Sequence, residues 1–403
     1  MDDKYIEVLL NRCMKDNTKS LFLCYNKEIA SFISKLKDKA RSIGIDDIYE
    51  EIEDTYYLHD LLSSLSVEEI KTHPYFNKSI WDEYAKKDAS FLMFETEMPH
   101  IMDDIDPEKL KMKSYVAQTT KPLYRELQNK CKLSWCICAY PGELWAKDVY
   151  PDDDNAYELL YNDIMSMCMI DRGNPSDSWN LFLDRNKKIA MYLNSLNIEK
   201  LHYTNSLGTD LILYLPDNYI YESAMDNDIL VNMPSYEIFT SPIYNKTEGI
   251  VYSSRPLVYQ GGLIDDFYIK FKDGKVIEYD AKVGKEILKG IIETDNNSCY
   301  LGECALVEVD SPIAKMNKVF GTTLIDENAS CHLALGEGFA ECIDGGLDMN
   351  DDELLKNGIN RSKAHVDFMI GTDDLDIVAT LRNGEEINIF ENGKFSNDIV
   401  SNI

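Results

Sequence analysis

The chain predicts an α/β and α+β protein: a small N-terminal α/β domain with a parallel sheet, then a larger C-terminal domain built on a mixed sheet. Three observations carry this. Short apolar runs without alternation, Leu21 to Tyr25 and Phe91 to Met93 to Phe94, are separated by segments of helical period. Strands of that kind are buried on both faces, as in a parallel sheet covered by helices. Further along, alternation and hairpin turns take over, the mark of sheets with one buried face. Finally, 403 residues, 44% of them hydrophobic, exceed what one small core organises.

The elements follow in order. An opening helix carries Tyr5, Val8, Leu9 and Met14 on one side, and after the first apolar run a second helix has Ile29, Phe32, Ile33 and Leu36 at helical spacing. Residues 1–115 therefore form the first domain and 116–403 the second. No glycine-rich phosphate loop follows either strand, which argues against nucleotide binding. From Trp135-Cys136-Ile137-Cys138-Ala139 the pattern changes character. Asn174-Pro175 opens a helix with Phe182, Ile189, Leu193 and Leu196 as its buried stripe. Leu211, Leu213 and Leu215 alternate, and Asp273-Gly274 and Asn383-Gly384 each join two strand-like runs as hairpin turns.

Composition narrows the function classes. With 71 acidic against 41 basic residues, the net charge of −30 repels phosphate backbones and anionic lipid, so nucleic acid and membrane are not expected partners. The start, Met1-Asp2-Asp3-Lys4, has no signal-peptide pattern and no apolar run reaches a membrane span, so a cytoplasmic protein is expected. Of ten cysteines only Cys136 and Cys138 are close in sequence, without the spacing of a zinc knuckle, and reduced, buried thiols are expected. No G-x-S-x-G is present, and Cys331 beside His332 reads as a small buried side chain, not a nucleophile.

Candidate chemistry concentrates in the C-terminal half. In His365-Val366-Asp367-Phe368 a strand's period of two puts His365 and Asp367 on one face, a donor pair suited to zinc or cobalt; a solvated His–Asp pair at a sheet edge fits the same pattern. Asp326, Glu327 and Asn328 interrupt an apolar stretch ahead of His332. Buried carboxylates there need a partner such as a metal; alternatively Asn328 caps a helix that positions His332. Glu237 and Glu303 each sit in apolar surroundings where an unpaired carboxylate is costly.

Five blocks, Asn232 to Pro242, Arg255 to Phe267, Tyr300 to Val307, Asp326 to Gly336 and His365 to Gly371, closely resemble the aminopeptidase T and aminopeptidase S family of thermophilic-type metallopeptidases in order and approximate spacing. The resemblance covers roughly residues 120 to 395. It implies two divalent ions per subunit (zinc, cobalt, manganese or magnesium) held by Glu237, Glu303, Glu327, His332, His365 and Asp367, with Glu303 shared between them. It also implies removal of N-terminal residues from peptides with a free amino end, by a homodimer whose active sites face an enclosed cavity. Water activated between two metals needs a carboxylate to take its proton, for which Glu237 is preferred over the bridging Glu303. One position departs: seven residues after His332, where the family usually has tyrosine, this chain has Phe339. Reduced turnover, a different oxyanion donor such as Tyr300 and a changed substrate are each compatible with this, and a metal-binding dimeric homologue with weak or altered catalysis is the alternative.

Overall fold

The computed structural model describes residues 1–226 and 228–403, apart from the side chains at 118 and 226. The chain divides into two compact units, Met1–Ser178 with Met225–Pro234, and Trp179–Ala224 with Ser235–Ile403.

The first unit is a five-stranded parallel sheet in the order Asn232–Met233, Ser134–Ala139, Ser90–Glu95, Ser20–Asn26, Asp47–Glu53. The two apolar runs singled out above are its central strands, nearly buried throughout. One face is lined by aromatic rings, with Phe22 stacked on Phe91 at 5.0 Å and Trp81 and Tyr124 around them. The predicted opening helices are Asp2–Arg12 and Ala30–Ser42; the first has Asp2 and Asp3 in its opening turn and Arg12 in its last, as the helix dipole favours. The expected boundary near residue 115 falls inside this unit. The strand Ser134–Ala139 pairs in parallel with Ser90–Glu95, because its apolar run belongs with the double-buried strands before it. A short return at Asn232–Met233 then adds the edge strand, which no sequence pattern announces.

In the second unit two antiparallel sheets share one apolar core. The larger, nine-stranded sheet contains both predicted hairpins, Gly262–Lys272 with Lys275–Val283 and Asp376–Leu381 with Glu386–Glu391. Their turns need left-handed residues and have them, with Asp273 and Gly274 at φ 50° and 76° and Gly384 at φ 85°. Leu211 and Leu213 face the core from Asp210–Tyr214 as the alternation predicts. The helix opened by Pro175 runs to Ser195, and Ile189 and Leu193 are buried on it.

The smaller sheet positions the site. Its order is His365–Met369, His332–Gly336, Leu301–Leu306, Ile238–Thr240, Glu222–Ser223, antiparallel throughout. Val366, Phe368, Leu333, Leu335, Leu301 and Ile238 project into the core. The opposite face therefore carries the alternate residues, His365 and Asp367, His332 and Ala334, Glu303 and Ala305. Among the described residues no helix is long and apolar enough to cross a membrane.

Candidate metal centre

Register brings the polar residues together. Ala334 pairs with Asp367 on one side and with Glu303 on the other, so two carboxylates flank a methyl group. The small side chains of Ala334, Ala305 and Gly336 leave room over this face for the longer Glu303, His332 and His365. Two glycines are needed for the backbone itself. A Cβ on Gly336, at φ 108°, would lie 2.0 Å from the Ala364 carbonyl, and one on Gly302 would lie 2.1 Å from that of Glu337. Gly302 sits where the register shifts between Leu301 and Glu303, and this irregularity turns Glu303 onto the polar face.

The donors form two groups. Ligand atoms of Glu237, Glu303 and His332 lie within 4.8 Å of one another, and so do those of Glu303, His365 and Asp367. Glu303 belongs to both. In the first group His332 Nε2 is 3.2 Å from Glu237 Oε2; in the second His365 Nε2 is 3.1 Å from Glu303 Oε2 and 3.2 Å from Asp367 Oδ1. The other ring nitrogens face backbone carbonyls, His332 Nδ1 toward Ser330 O at 3.3 Å and His365 Nδ1 toward Glu337 O at 2.8 Å. A carbonyl only accepts, so Nδ1 carries a proton in each ring and Nε2 is turned toward the cluster, the orientation of metal-binding histidines.

Supporting residues fix the carboxylates. Glu237 Oε1 accepts from Ser235 Oγ at 3.2 Å, and Asn328 Oδ1 accepts from the Tyr236 backbone N–H at 2.6 Å, pinning the segment that carries Glu237. The helix cap considered for Asn328 is thus replaced by a bond reaching back over ninety residues, and His332 lies on a strand, not a helix. Asp326 stands apart, its oxygens accepting from Phe320 and Gly321 N–H at 2.8 and 2.9 Å to close a loop. Glu327 joins neither donor group but feels Asp367 and Glu237, and lies with Asp367 in a small cleft lined by Leu257, Val258 and Met369. Phe339 packs its ring 4.9 Å from that of His365 and 5.4 Å from that of Phe239. Tyr300 instead packs edge-on against Tyr244.

The electrostatics call for a cation. Glu237, Glu303, Glu327 and Asp367 are all buried. Burial and then repulsion from Asp367 push the Glu327 carboxyl well above the usual range; burial and the Asp367 charge likewise raise Glu303, against the pull of His365. Burial opposes charge on both imidazoles, yet the surrounding carboxylates drive their basicity up, Glu237 acting most on His332 and Asp367 on His365. Asp367 Oδ1 is buried and receives no well-formed hydrogen bond, although His365 Nε2 is close. An orphaned carboxylate oxygen, mutually repelling acids and imidazole nitrogens aimed at the same point fit divalent cations.

Sequence reasoning missed the bracing of this face. Arg361 donates from a guanidinium N–H to Gly338 O at 3.0 Å and pairs with Glu337 at 2.5 Å, holding the loop whose Glu337 carbonyl receives His365. Asn360 Nδ2 donates to Gly336 O at 2.5 Å. Nothing in Asn360-Arg361-Ser362-Lys363 distinguishes them from surface polar residues.

Buried donors of this kind, gathered from distant strands on one sheet face, are those of a metal-dependent hydrolytic enzyme, and known proteins bear out that class. Residues 2–395 match the family described as thermophilic metalloprotease (M29), and the chain belongs to that family. It is 33% identical over 401 residues to aminopeptidase PepS of Streptococcus thermophilus, covering 97% of each chain, and 35% identical over 337 residues to aminopeptidase AmpS of Bacillus subtilis (strain 168), covering 82% of each. The solved structure of wild-type AmpT from Thermus thermophilus matches with a TM-score of 0.88 at 25% identity, covering 98% of both chains. The resemblance seen in the sequence is borne out, and the chain is a peptide-bond hydrolase that uses divalent metal.

Proposed function

We propose that the chain is a two-metal aminopeptidase, with Glu237, Glu303, Glu327, His332, His365 and Asp367 as ligands. The observation that carries this is Glu303, the one carboxylate common to two donor groups. When bound, two divalent ions supply Lewis acidity that activates water and polarises a peptide carbonyl. Glu303 holds the two groups at a fixed spacing, while the backbone-anchored imidazoles of His332 and His365 keep their free nitrogens turned inward. Glu237 is the general base: its oxygens are not divided between two groups, and Ser235 fixes its orientation for taking a proton and returning it to the leaving amine. Restriction to N-terminal residues is supported by the names of the relatives, all aminopeptidases. Zinc or cobalt as the working metal, a homodimer enclosing its active sites, and action in the cytoplasm belong to the same reading.

Release of p-nitroaniline from leucine or phenylalanine p-nitroanilide, with cobalt or zinc added, tests it. Activity abolished by a chelator and absent on N-acetylated substrate is expected; no chelator-sensitive release from any N-terminal residue would overturn the reading. A second reading, a metal-binding dimeric homologue with weak or altered catalysis, is favoured by Phe339, which presents a ring without a phenol beside His365.

A further inference from the structure

A second cluster of ligand atoms lies in the first unit. Cys13, at the end of the helix Asp2–Arg12, meets Cys136 and Cys138 of the strand Ser134–Ala139, and the three sulfurs lie within 4.8 Å of one another. All three residues are buried. Cys136 and Cys138 are two apart on a strand and so share a face, with Cys138 Sγ donating to Cys136 Sγ at 3.6 Å. Sequence spacing hides the group because its third sulfur comes from more than a hundred residues away.

We propose that Cys13, Cys136 and Cys138 form a closed three-sulfur site for a soft monovalent cation, Cu(I), which ties the first helix to the sheet. The spacing suits it: sulfurs about 2.3 Å from a central ion in a trigonal array lie about 4 Å apart. The donor count suits it as well. Among the described residues no fourth histidine, cysteine or carboxylate joins the group, whereas structural zinc takes four ligands. Thiolate sulfur favours Cu(I) over the hard ions that suit carboxylate oxygen, and the three-donor count, not sulfur alone, favours Cu(I) over structural zinc. Binding forms three Cu–S bonds, releases the three thiol protons to solvent and leaves copper in its original oxidation state.

Three thiolates on one Cu(I) leave a net negative group, and one cation lies beside it. Arg12 has a buried Nε with no hydrogen-bond partner, and its cation acts on Cys13. Cys13 also sits at a helix C-terminus, where the dipole disfavours negative charge, and a bound Cu(I) cancels one of the three thiolate charges there.

Anaerobic titration of the full chain with Cu(I), against a chromophoric Cu(I) chelator, tests this, followed by X-ray absorption at the copper edge. One equivalent held per chain with three sulfur neighbours is expected. Cys136→Ser should weaken binding at least tenfold, whereas Cys24→Ser and Cys131→Ser, at the half-exposed cysteines, should leave it unchanged. Failure of the wild type to retain copper, a sulfur count of two or fewer, or undiminished binding in folded Cys136→Ser would overturn the proposal. Should Cys136→Ser not fold, the sulfur count of the wild type decides alone.

Discussion

In the proposed reading, Glu303 and Phe339 are the residues on which the chemistry turns. With Glu303 shared between two donor groups, Glu303→Ala should remove both ions, and His365→Ala should empty at least the group it shares with Asp367. Both variants are expected to lose activity and metal together, as read by elemental analysis beside the p-nitroanilide assay; unchanged stoichiometry would remove the residue from the ligand set. Phe339 argues in the other direction. Its ring already touches His365, so Phe339→Tyr places a hydroxyl near the cluster without moving the backbone. Loss of one oxyanion donor typically costs about a hundredfold to a thousandfold in rate, so a rise in kcat of up to that size is expected, and a flat or lower value would show a site adapted to lacking the phenol. Arg361 acts at one remove, bracing the loop through the Gly338 carbonyl and the Glu337 carboxylate while the Glu337 carbonyl meets His365; Arg361→Ala should weaken metal affinity roughly 10- to 100-fold, and equilibrium dialysis against the metal checks it.

At the scale of the element, the site exists because one sheet has two unlike faces. Ala334→Leu would push a side chain between Glu303 and Asp367, and should cost about 1–3 kcal/mol of stability while displacing metal. Leu335→Ala, on the face toward the core, should cost about 2–5 kcal/mol and leave metal stoichiometry at the wild-type value. Urea unfolding and metal analysis on the two variants separate the faces. The same contrast shows what the sequence made legible. His365 and Asp367 on a common face follow from a period of two, which is local, and the hairpins at Asp273-Gly274 and Asn383-Gly384 are local too, with left-handed backbone at Asp273, Gly274 and Gly384. The placing of Ala334 between two carboxylates depends on register across three strands and on the irregularity at Gly302, neither of which has a local signature. Asn328 was legible as a residue needing a backbone amide; that the amide is Tyr236's, far back in the chain, was not.

For the molecule as a whole, the division into units shows the limit of composition. A sheet strand at Ser134–Ala139 and a two-residue return at Asn232–Met233 carry the first unit well beyond residue 115, because a parallel sheet takes strands from wherever the chain comes back. Metal links stability to function at this scale. Without cations, four buried carboxylates face one another, so chelation should lower the melting temperature, and restoring the ion at about a hundredfold above its Kd should return about 2.7 kcal/mol, roughly 5–10 °C. Calorimetry with and without chelator measures it, and identical transitions would mean that the cluster is stable without metal.

Two ions sharing Glu303 are the centre of the proposed chemistry, and anomalous diffraction from crystals grown with zinc or cobalt tests that claim. It predicts two peaks about 3.5–4 Å apart, one beside Glu237 and His332, the other beside His365 and Asp367, with Glu303 touching both. A single peak in active enzyme, or two peaks with Glu303 bound to neither, would contradict it.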